Sequence, residues 1–498
     1  MPALPGDDLN QPNLLAEHTV GQRNRKLDRF LREIGLRVLI DSTFDIKILC
    51  FQRFVRMLAY AQTTLILTLY FTALGFSEER IGLFMTATLI GDVLISFVLT
   101  LFADALGRKR VLILGCMLMF GSGVVFAISD NFWILLLAAI AGVISPSGNE
   151  IGPFRAVEES TLAHLTPADE RTDVFAWYSL LGRFGSAIGS ATCGAMVQFL
   201  QDRANWSNVR SYRFVYLSYA AIALIKLYTS YILSEACELK GVAQSKDLDE
   251  ISPDSDGIDE DAVLLRSTDE LQEVLRDEIV IEEGGPTTQQ PVLRGGWFKL
   301  RSYLPPMSRE SRKTLLILMP LIGLDAFAQG LINDSWLTYY FTEKFGIKEA
   351  SLGGMFTLGN LGASAGALLA ASITRRIGII PTMIVTHVPS SLILGVMPAI
   401  SDFTLALVFF VLRQGTNMMD TAPRQVFISS VVLPEERTST MGLSNVIRTF
   451  STSIGPTITG ILAEKHKMWV SFEISLAIKL MYNLGLVTFF WKKDWSRS

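Results

Sequence analysis

Four ionisable side chains interrupt long apolar stretches of this 498-residue sequence: Asp92, Arg183, Asp325 and Arg413. A charge in hydrocarbon is costly, so each marks a solute path, an ion pair or a proton relay if its stretch spans a membrane. Spacing puts all four at a similar depth. Asp92 stands twelve residues before Asp104, Asp325 twelve after Lys313, Arg183 ten after Asp173 and Arg413 eleven after Asp402. At the helical rise this is about 15–18 Å from an edge, close to a bilayer midplane. Asp92 and Arg183 can form an ion pair, either a permanent packing pair or one that solute or a proton breaks. Asp325 has no partner in its own stretch, and a lone desolvated carboxylate takes up a proton readily, which makes it the expected coupling residue. Arg413 can hold an anionic group through two parallel hydrogen bonds. Lys226 and Lys479 are also deep, although lysine can snorkel to an interface. Asn360 and Asn417 are candidates to line a cavity or to bond neighbouring helices. Four cations against two carboxylates favour an anionic or zwitterionic small-molecule substrate.

Enzymatic chemistry is not expected. The four histidines (His18, His164, His387, His466) are scattered, with no zinc or phosphate-loop spacing, so neither metal nor cofactor is implied. Only His387 is placed to titrate usefully. Cys50, Cys116, Cys193 and Cys237 lie in or beside apolar stretches and do not form a disulfide framework. Gly185-x-x-x-Gly189 and Gly362-x-x-x-Gly366 are close-packing glycines, not nucleotide loops.

The elements that must position these residues follow from composition. Half the residues are hydrophobic, 18% are charged, and mean hydropathy is +0.36. A spanning helix needs about 20 largely apolar residues. Six such stretches run at 54–74, 81–103, 111–129, 132–148, 174–200 and 214–234. Six more run at 314–334, 351–373, 381–400, 402–420, 439–463 and 470–491. The expected fold is therefore an all-α membrane protein of twelve transmembrane helices in two six-helix bundles. The arm is 1–53, the bundles 54–235 and 314–491, the linker 236–313 and the tail 492–498. Between Glu238 and Glu283 lie 16 acidic and 4 basic residues, a local balance of −12 in a chain of net charge −4. The remainder carries +8 without clustering on one face, which excludes a nucleic-acid binder. The acidic stretch has too little apolar surface to order itself and reads as a solvated linker. Leu264, Leu265, Leu271, Val274 and Leu275 can make one short amphipathic helix within it. Residues 27–38 read as an interfacial helix.

Orientation follows from Lys and Arg in the short loops. The arm carries six basic residues from Arg23 to Arg37, and the connection after the second span holds Arg108, Lys109 and Arg110. Its later counterpart holds Arg375 and Arg376, and the tail holds Lys492, Lys493 and Arg497. Both termini and the linker are thus expected in the cytoplasm. Asn205 then falls on the outer side as a glycosylation candidate, with Asn333 too close to the membrane for use.

An internal repeat links the halves. Glu170-Arg171-Thr172 recurs as Glu436-Arg437-Thr438, 266 residues on. At that spacing Phe184, Ile188, Gly189 and Gly194 match Phe450, Ile454, Gly455 and Gly460. Arg155-Ala156-Val157 similarly resembles Arg424-Gln425-Val426. Two parallel halves with a site between them can rock to give alternating access.

Asp104-Ala105-Leu106-Gly107-Arg108-Lys109-Arg110 and its degenerate copy, Thr374-Arg375-Arg376-Ile377-Gly378, carry a resemblance to the major facilitator superfamily over nearly the whole chain. Thr100 and Ala105 depart from the family's usual glycine and basic residue. The resemblance implies cytoplasmic gating by Asp104, Gly107 and Arg108, with Arg375 and Arg376 at the matching place. The polar segment holding Glu150 and Arg155, and Arg424 by the repeat, are further gating candidates. Subfamily signatures are incomplete: the glycines of 182–189 lack the fifth-span proline of drug–proton antiporters. The expected function is secondary active transport of a small organic solute by a monomer in the bilayer, coupled to protons and directed to efflux. Facilitated or symported uptake is one alternative, and a solute sensor signalling through the acidic linker is another. The sequence leaves the plasma membrane and an organelle membrane such as the vacuole undivided.

Overall fold

The computed structural model describes residues 36–142, 144–146, 153–167, 170–238, 308–433 and 436–491, with backbone but not side chains for 96–106, 153–154, 156, 172, 309–310, 371 and 437–439. The interfacial helix expected at 27–38 (save its last three residues), Glu150, the linker with its amphipathic segment, and the tail lie outside them. Every regular element among the described residues is helical. The first half comprises α1 (Leu36–Asp41), α2 (Phe44–Ala73), α3 (Glu78–Leu106), α4 (Arg108–Ile128), α5 (Phe132–Gly142), α6 (Pro153–Leu165), α7 (Arg171–Asp202) and α8 (Asn208–Ile232). The second comprises α9 (Arg309–Leu331), α10 (Asp334–Phe345), α11 (Glu349–Ile377), α12 (Ile379–Val396), α13 (Phe403–Met419), α14 (Thr421–Ser430), α15 (Arg437–Glu464) and α16 (Met468–Phe490). Among the described residues, seven helices, counting α9 with α10, are long and apolar enough to span a membrane unaided. Of the other five spans of the twelve-helix fold, α7 and α15 are more polar and α5–α6 and α13–α14 are broken, whereas α3 is apolar by sequence over 81–103.

Side chains at the helix starts satisfy orphan N–H groups and so set several boundaries. Ser207 accepts from Arg210, Ser308 from Ser311, Asn333 from Trp336 and Asp402 from Leu405. Gly346, at φ +60°, closes α10 in the left-handed conformation a glycine tolerates. The first span begins ten residues before the expected 54, because Asp45, Lys47, Gln52 and Arg53 lower its apolar signal although most are buried. The fourth span is not one helix over 132–148: α5 stops at Gly142 and α6 resumes with Pro153 in its first turn. The tenth breaks at Asp420, and the seventh breaks where Asn333 caps α10.

The repeat is visible in packing. α2 packs on α7 as α9 does on α15, α4 on α8 as α12 does on α16, and α7 on α11 as α15 does on α3. The last two of these seams join the halves. We call the side where α2 begins the near side and its opposite the far side. Contacts between the halves gather toward the far side. A Cβ on Gly194 would stand 2.2 Å from the Glu349 carbonyl oxygen, and one on Gly460 2.5 Å from that of Glu78. These are two of the glycines matched in the repeat, doing the same work at two seams. Tyr212 and Gln201 bond Glu349, Lys348 bonds Asp202, and Tyr339 bonds Glu78 around them. The Lys348 ammonium and then the Gln198 amide hold the exposed Asp202 carboxyl below its ordinary range. Gly185 and Gly189 press on the backbone of Phe54 and Leu58 within the first half.

Gly194→Leu should therefore force the far ends of α7 and α11 apart, whereas Gly354→Leu, where a Cβ meets nothing within 4 Å, should not. Spin labels at Ala204 and Asp402 would read this as a longer distance in the first variant alone. Equal distances in both would mean that glycine contact does not set the closure.

Candidate functional site

Two buried ion clusters occupy corresponding places in the halves. In the first, the Arg56 guanidinium of α2 makes parallel hydrogen bonds of 2.9 and 2.8 Å to Glu158 of α6. Lys226 of α8 stands 3.2 Å from the same carboxylate, and the Tyr178 hydroxyl of α7 donates to it at 2.7 Å. Arg56, Glu158 and Lys226 have no exposed surface, so the cluster replaces water entirely. One turn below Arg56, the Arg53 guanidinium lies 4.8 Å from the Tyr178 ring centroid.

In the second half the carboxylate sits on the first span instead. Asp325 of α9 is 2.7 Å from Arg424 of α14, 3.0 Å from Lys479 of α16 and 3.1 Å from His387 of α12. Arg424 also lies 3.3 Å from Asp420. The Asn483 amide nitrogen donates to the Lys479 carbonyl at 2.7 Å, which fixes the amide orientation. Its contact of 2.9 Å with His387 Nδ1 is then a donation, so the ring hydrogen sits on Nε2 and points to Asp325. The repeat spacing of 266 carries Glu158 onto Arg424. Spans one, four and six thus supply plus, minus, plus, and spans seven, ten and twelve supply minus, plus, plus.

Several expectations are corrected by this geometry. Asp325 is not a lone carboxylate, because three basic groups from three other helices surround it. Asp92 and Arg183 are not a pair. Asp92 is fully buried near the stacked Tyr60 and Tyr219, and among the described residues neither of its oxygens has a hydrogen-bond partner. Arg183 points the other way, its guanidinium 3.0 Å from Met418 Sδ across the seam. Lys226 and Lys479 do not snorkel; each is buried on a carboxylate. Arg413 is only 6% exposed and acts on Asp334 through space. Asn360 lines a small cavity between the halves, and Asn417 is half-buried on α13. Asn333 is a buried cap, whereas Asn205 is an exposed residue with φ 51°.

At the near side, Asp104 lies in the last turn of α3. Gly107 adopts φ +90°, and the Glu238 carboxylate accepts from the Arg108 and Lys109 amides at 2.7 and 3.0 Å. That is an anion on a helix N-terminus, as the macrodipole favours. Arg375 and Arg376 are exposed in the last turn of α11. Arg155 is exposed and pairs with Glu159, while Arg424 belongs to the buried cluster and not to a surface gate.

Arg448 of α15 escaped the sequence reading. It stands eleven residues into its helix, as Arg183 stands twelve into α7, so both are about 17 Å from a helix start. Arg448 faces the Asp325 cluster, where Arg424 repels it and Asp325 attracts it; Arg183 is repelled by Arg155. Neither forms an ion pair among the described residues. The signal available was the repeat, since Arg448 lies 265 residues after Arg183. Arg56 and Asp334 were missed as well, the first at the edge of an underestimated span and the second inside a glycosylation motif.

Comparison with known proteins now fits this architecture. The Major Facilitator Superfamily model matches residues 49–456 and 318–493. An uncharacterized membrane protein of Saccharomyces cerevisiae, YJR124C, is 33% identical over 448 residues, covering 90% of this chain and 94% of that one. The quinolone resistance protein NorA of Staphylococcus aureus is 25% identical over 154 residues, 31% of this chain and 38% of its own. The crystal structure of a D-xylose–proton symporter superposes with a TM-score of 0.63 at 14% identity, covering 91% of this chain and 98% of that one. This chain belongs to the Major Facilitator Superfamily. It is an integral membrane transporter of small molecules, not an enzyme.

Removing one member of a buried ion cluster strands the others, at a cost of about 3–5 kcal/mol. Glu158→Gln should lower the thermal stability of the detergent-purified protein accordingly. Glu158→Leu with Arg56→Met should recover part of the loss, because the two sites are coupled. A single variant as stable as the parent would show that the cluster does not hold these helices together.

Proposed function

We propose that this protein is a secondary transporter that carries a small organic anion, or a zwitterion by its anionic end, through alternating access. The observation that carries this reading is the pair Arg183 and Arg448, at matching height on pseudo-equivalent helices and without carboxylate partners among the described residues. A guanidinium away from bulk water favours a bidentate anion. The basic near-side turns support a cytoplasmic near side, and the glycine seams support a state closed on the outside. Export is the direction we assign, and the partial likeness to a quinolone resistance protein supports it. Asp104, Gly107 and Arg108 gate the near side in this reading, while the Glu238 carboxylate on the Arg108 and Lys109 amides is a contact within the first half.

A thermal-stability screen of the purified protein against anionic, cationic and neutral solutes tests the reading. An anion at about 100 times its Kd should add about 2.7 kcal/mol. Arg183→Gln or Arg448→Gln should each cost about 1.5–3 kcal/mol of that binding, roughly 10- to 150-fold in Kd. Cationic hits indifferent to both arginine variants would sink the anion assignment.

A further inference from the structure

A cleft of about 770 Å³ runs along the second half, lined among the described residues by α9 and α15. Its volume is that of a small-ligand pocket, roughly 300–1,000 Å³. Leu316, Pro320 and Phe327 form one wall, and Leu443, Ile447 and Ile454 the other. The floor is where the helices touch: a Cβ on Gly323 would stand 3.2 Å from the Ser451 hydroxyl oxygen. Among the lining residues only Ser451 and Arg312 carry polar side chains. Arg312 is exposed in the first turn of α9, at the near-side end of the cleft, and its guanidinium has no partner among the described residues. Fifteen residues separate it from Phe327, about 22 Å along the helix. Half of a hydrocarbon core of about 30 Å is less than that, so the cleft is deeper than one leaflet.

We propose that this cleft seats an acyl chain of an anionic phospholipid from the near-side leaflet, with the headgroup phosphate on Arg312. The order of polarity names the occupant: one cation at the membrane edge, then hydrocarbon to beyond the depth of a leaflet. A guanidinium holds two phosphate oxygens through parallel hydrogen bonds, and the walls behind it accept only apolar surface. A small soluble anion would leave those walls unfilled, and a neutral apolar molecule would leave the guanidinium unpaired. The position also gives the lipid a role. Farther in, α15 meets α3, where the Thr457 hydroxyl donates to that of Thr86 at 2.7 Å and Gly460 packs on Gly82. Ile454, about one turn nearer, already lines the cleft. A chain seated there lies beside the line along which α3 and α15 part, and it has most room while the near side is open. The lipid therefore favours that state by its differential affinity. Arg183 and Arg448 take no part in this site.

The test adds lipid to the full chain in maltoside detergent and reads Tm. Dioleoylphosphatidylglycerol should raise Tm saturably. Dioleoylphosphatidylcholine, with the same chains and no net charge, should need about ten times the concentration. Dihexanoylphosphatidylglycerol, with the same headgroup and short chains, should give no saturable rise over that range. Arg312→Gln should bring the phosphatidylglycerol value to that of phosphatidylcholine. Leu316→Trp and Leu443→Trp, at exposed positions on the two walls, should fill the cleft and abolish the rise with either lipid. A photoactivatable acyl chain on phosphatidylglycerol is the second readout and should label residues 315–327 or 443–454. Equal half-saturation by the two dioleoyl lipids, a rise that survives both tryptophan variants, or labelling confined to other helices would overturn the proposal. A saturable rise with the short-chain lipid would assign the cleft to a soluble amphiphile, and a Tm that rises with protein concentration but not with lipid would assign it to a second copy; either result overturns the lipid assignment. These variants leave Arg183 and Arg448 untouched, so the anion screen succeeds or fails independently.

Discussion

Charge inside a low-dielectric helix bundle must be neutralised where it stands, and this requirement organises both halves of the molecule. Glu158 is the centre of the first half, because Arg56, Lys226 and Tyr178 reach it from three other helices. Asp325 has the same office in the second, reached by Arg424, Lys479 and His387. Replacing Glu158 by an apolar group alone takes the shared carboxylate from Arg56 and Lys226, and replacing Asp325 takes it from Lys479 while Arg424 keeps Asp420. The bundles are thus held by a few charge-assisted bonds whose removal costs more than their net formation supplies. Such clusters specify which helix faces meet, which oily surfaces in lipid do poorly.

The same requirement explains why the fourth and tenth spans are broken. Continuing α5 as one helix through residue 158 would give Glu158 the azimuth of an uninterrupted helix. The gap between Gly142 and Pro153 frees α6 to aim Glu158 at Arg56. The break at Asp420 does likewise for Arg424, and Asp420 itself stays beside that guanidinium. Irregular backbone at membrane depth is tolerated where protein or a cavity surrounds it. On the far side a different device operates: Gly194 and Gly460 bring helices to backbone contact, and bonds to Glu349, Asp202 and Glu78 flank those contacts.

Spans, their number and the repeat were legible in the sequence because each rests on a long, additive signal. Twenty apolar residues outweigh one misplaced charge, and an ordered series of matches at 266 outweighs one exception. Individual site residues were half legible. Position along a helix follows from counting, and counting brought Asp325 and Lys479 forward, which the structure joins in one cluster. Azimuth does not, and that is why Asp92 was paired with Arg183 when the two face different neighbours. Partners from other spans are also invisible to counting, hence the expectation of a lone Asp325. Arg56 was lost because its own polarity, with that of Arg53 and Gln52, placed it at an edge that is in fact interior. Asp334 was read as part of a surface motif because Asn333-Asp334-Ser335 fits that motif, whereas Asn333 is spent on capping α10.

The sign pattern of the clusters bears on how an anion carrier would move. Glu158 and Asp325 are already committed, so Arg183 and Arg448 stand outside the neutralised sets. In a state open on the near side their desolvation is partial. Closing that side around an empty site would bury two guanidinium groups without counter-charge, which is costly by the same arithmetic that makes the clusters necessary. An anion between them lowers that cost at the moment of closure and not before, which is the differential interaction a conformational change needs. On this reading the empty carrier is the slow species and the loaded carrier the fast one. Coupling then arises from electrostatics already present in the resting structure, without a separate trigger.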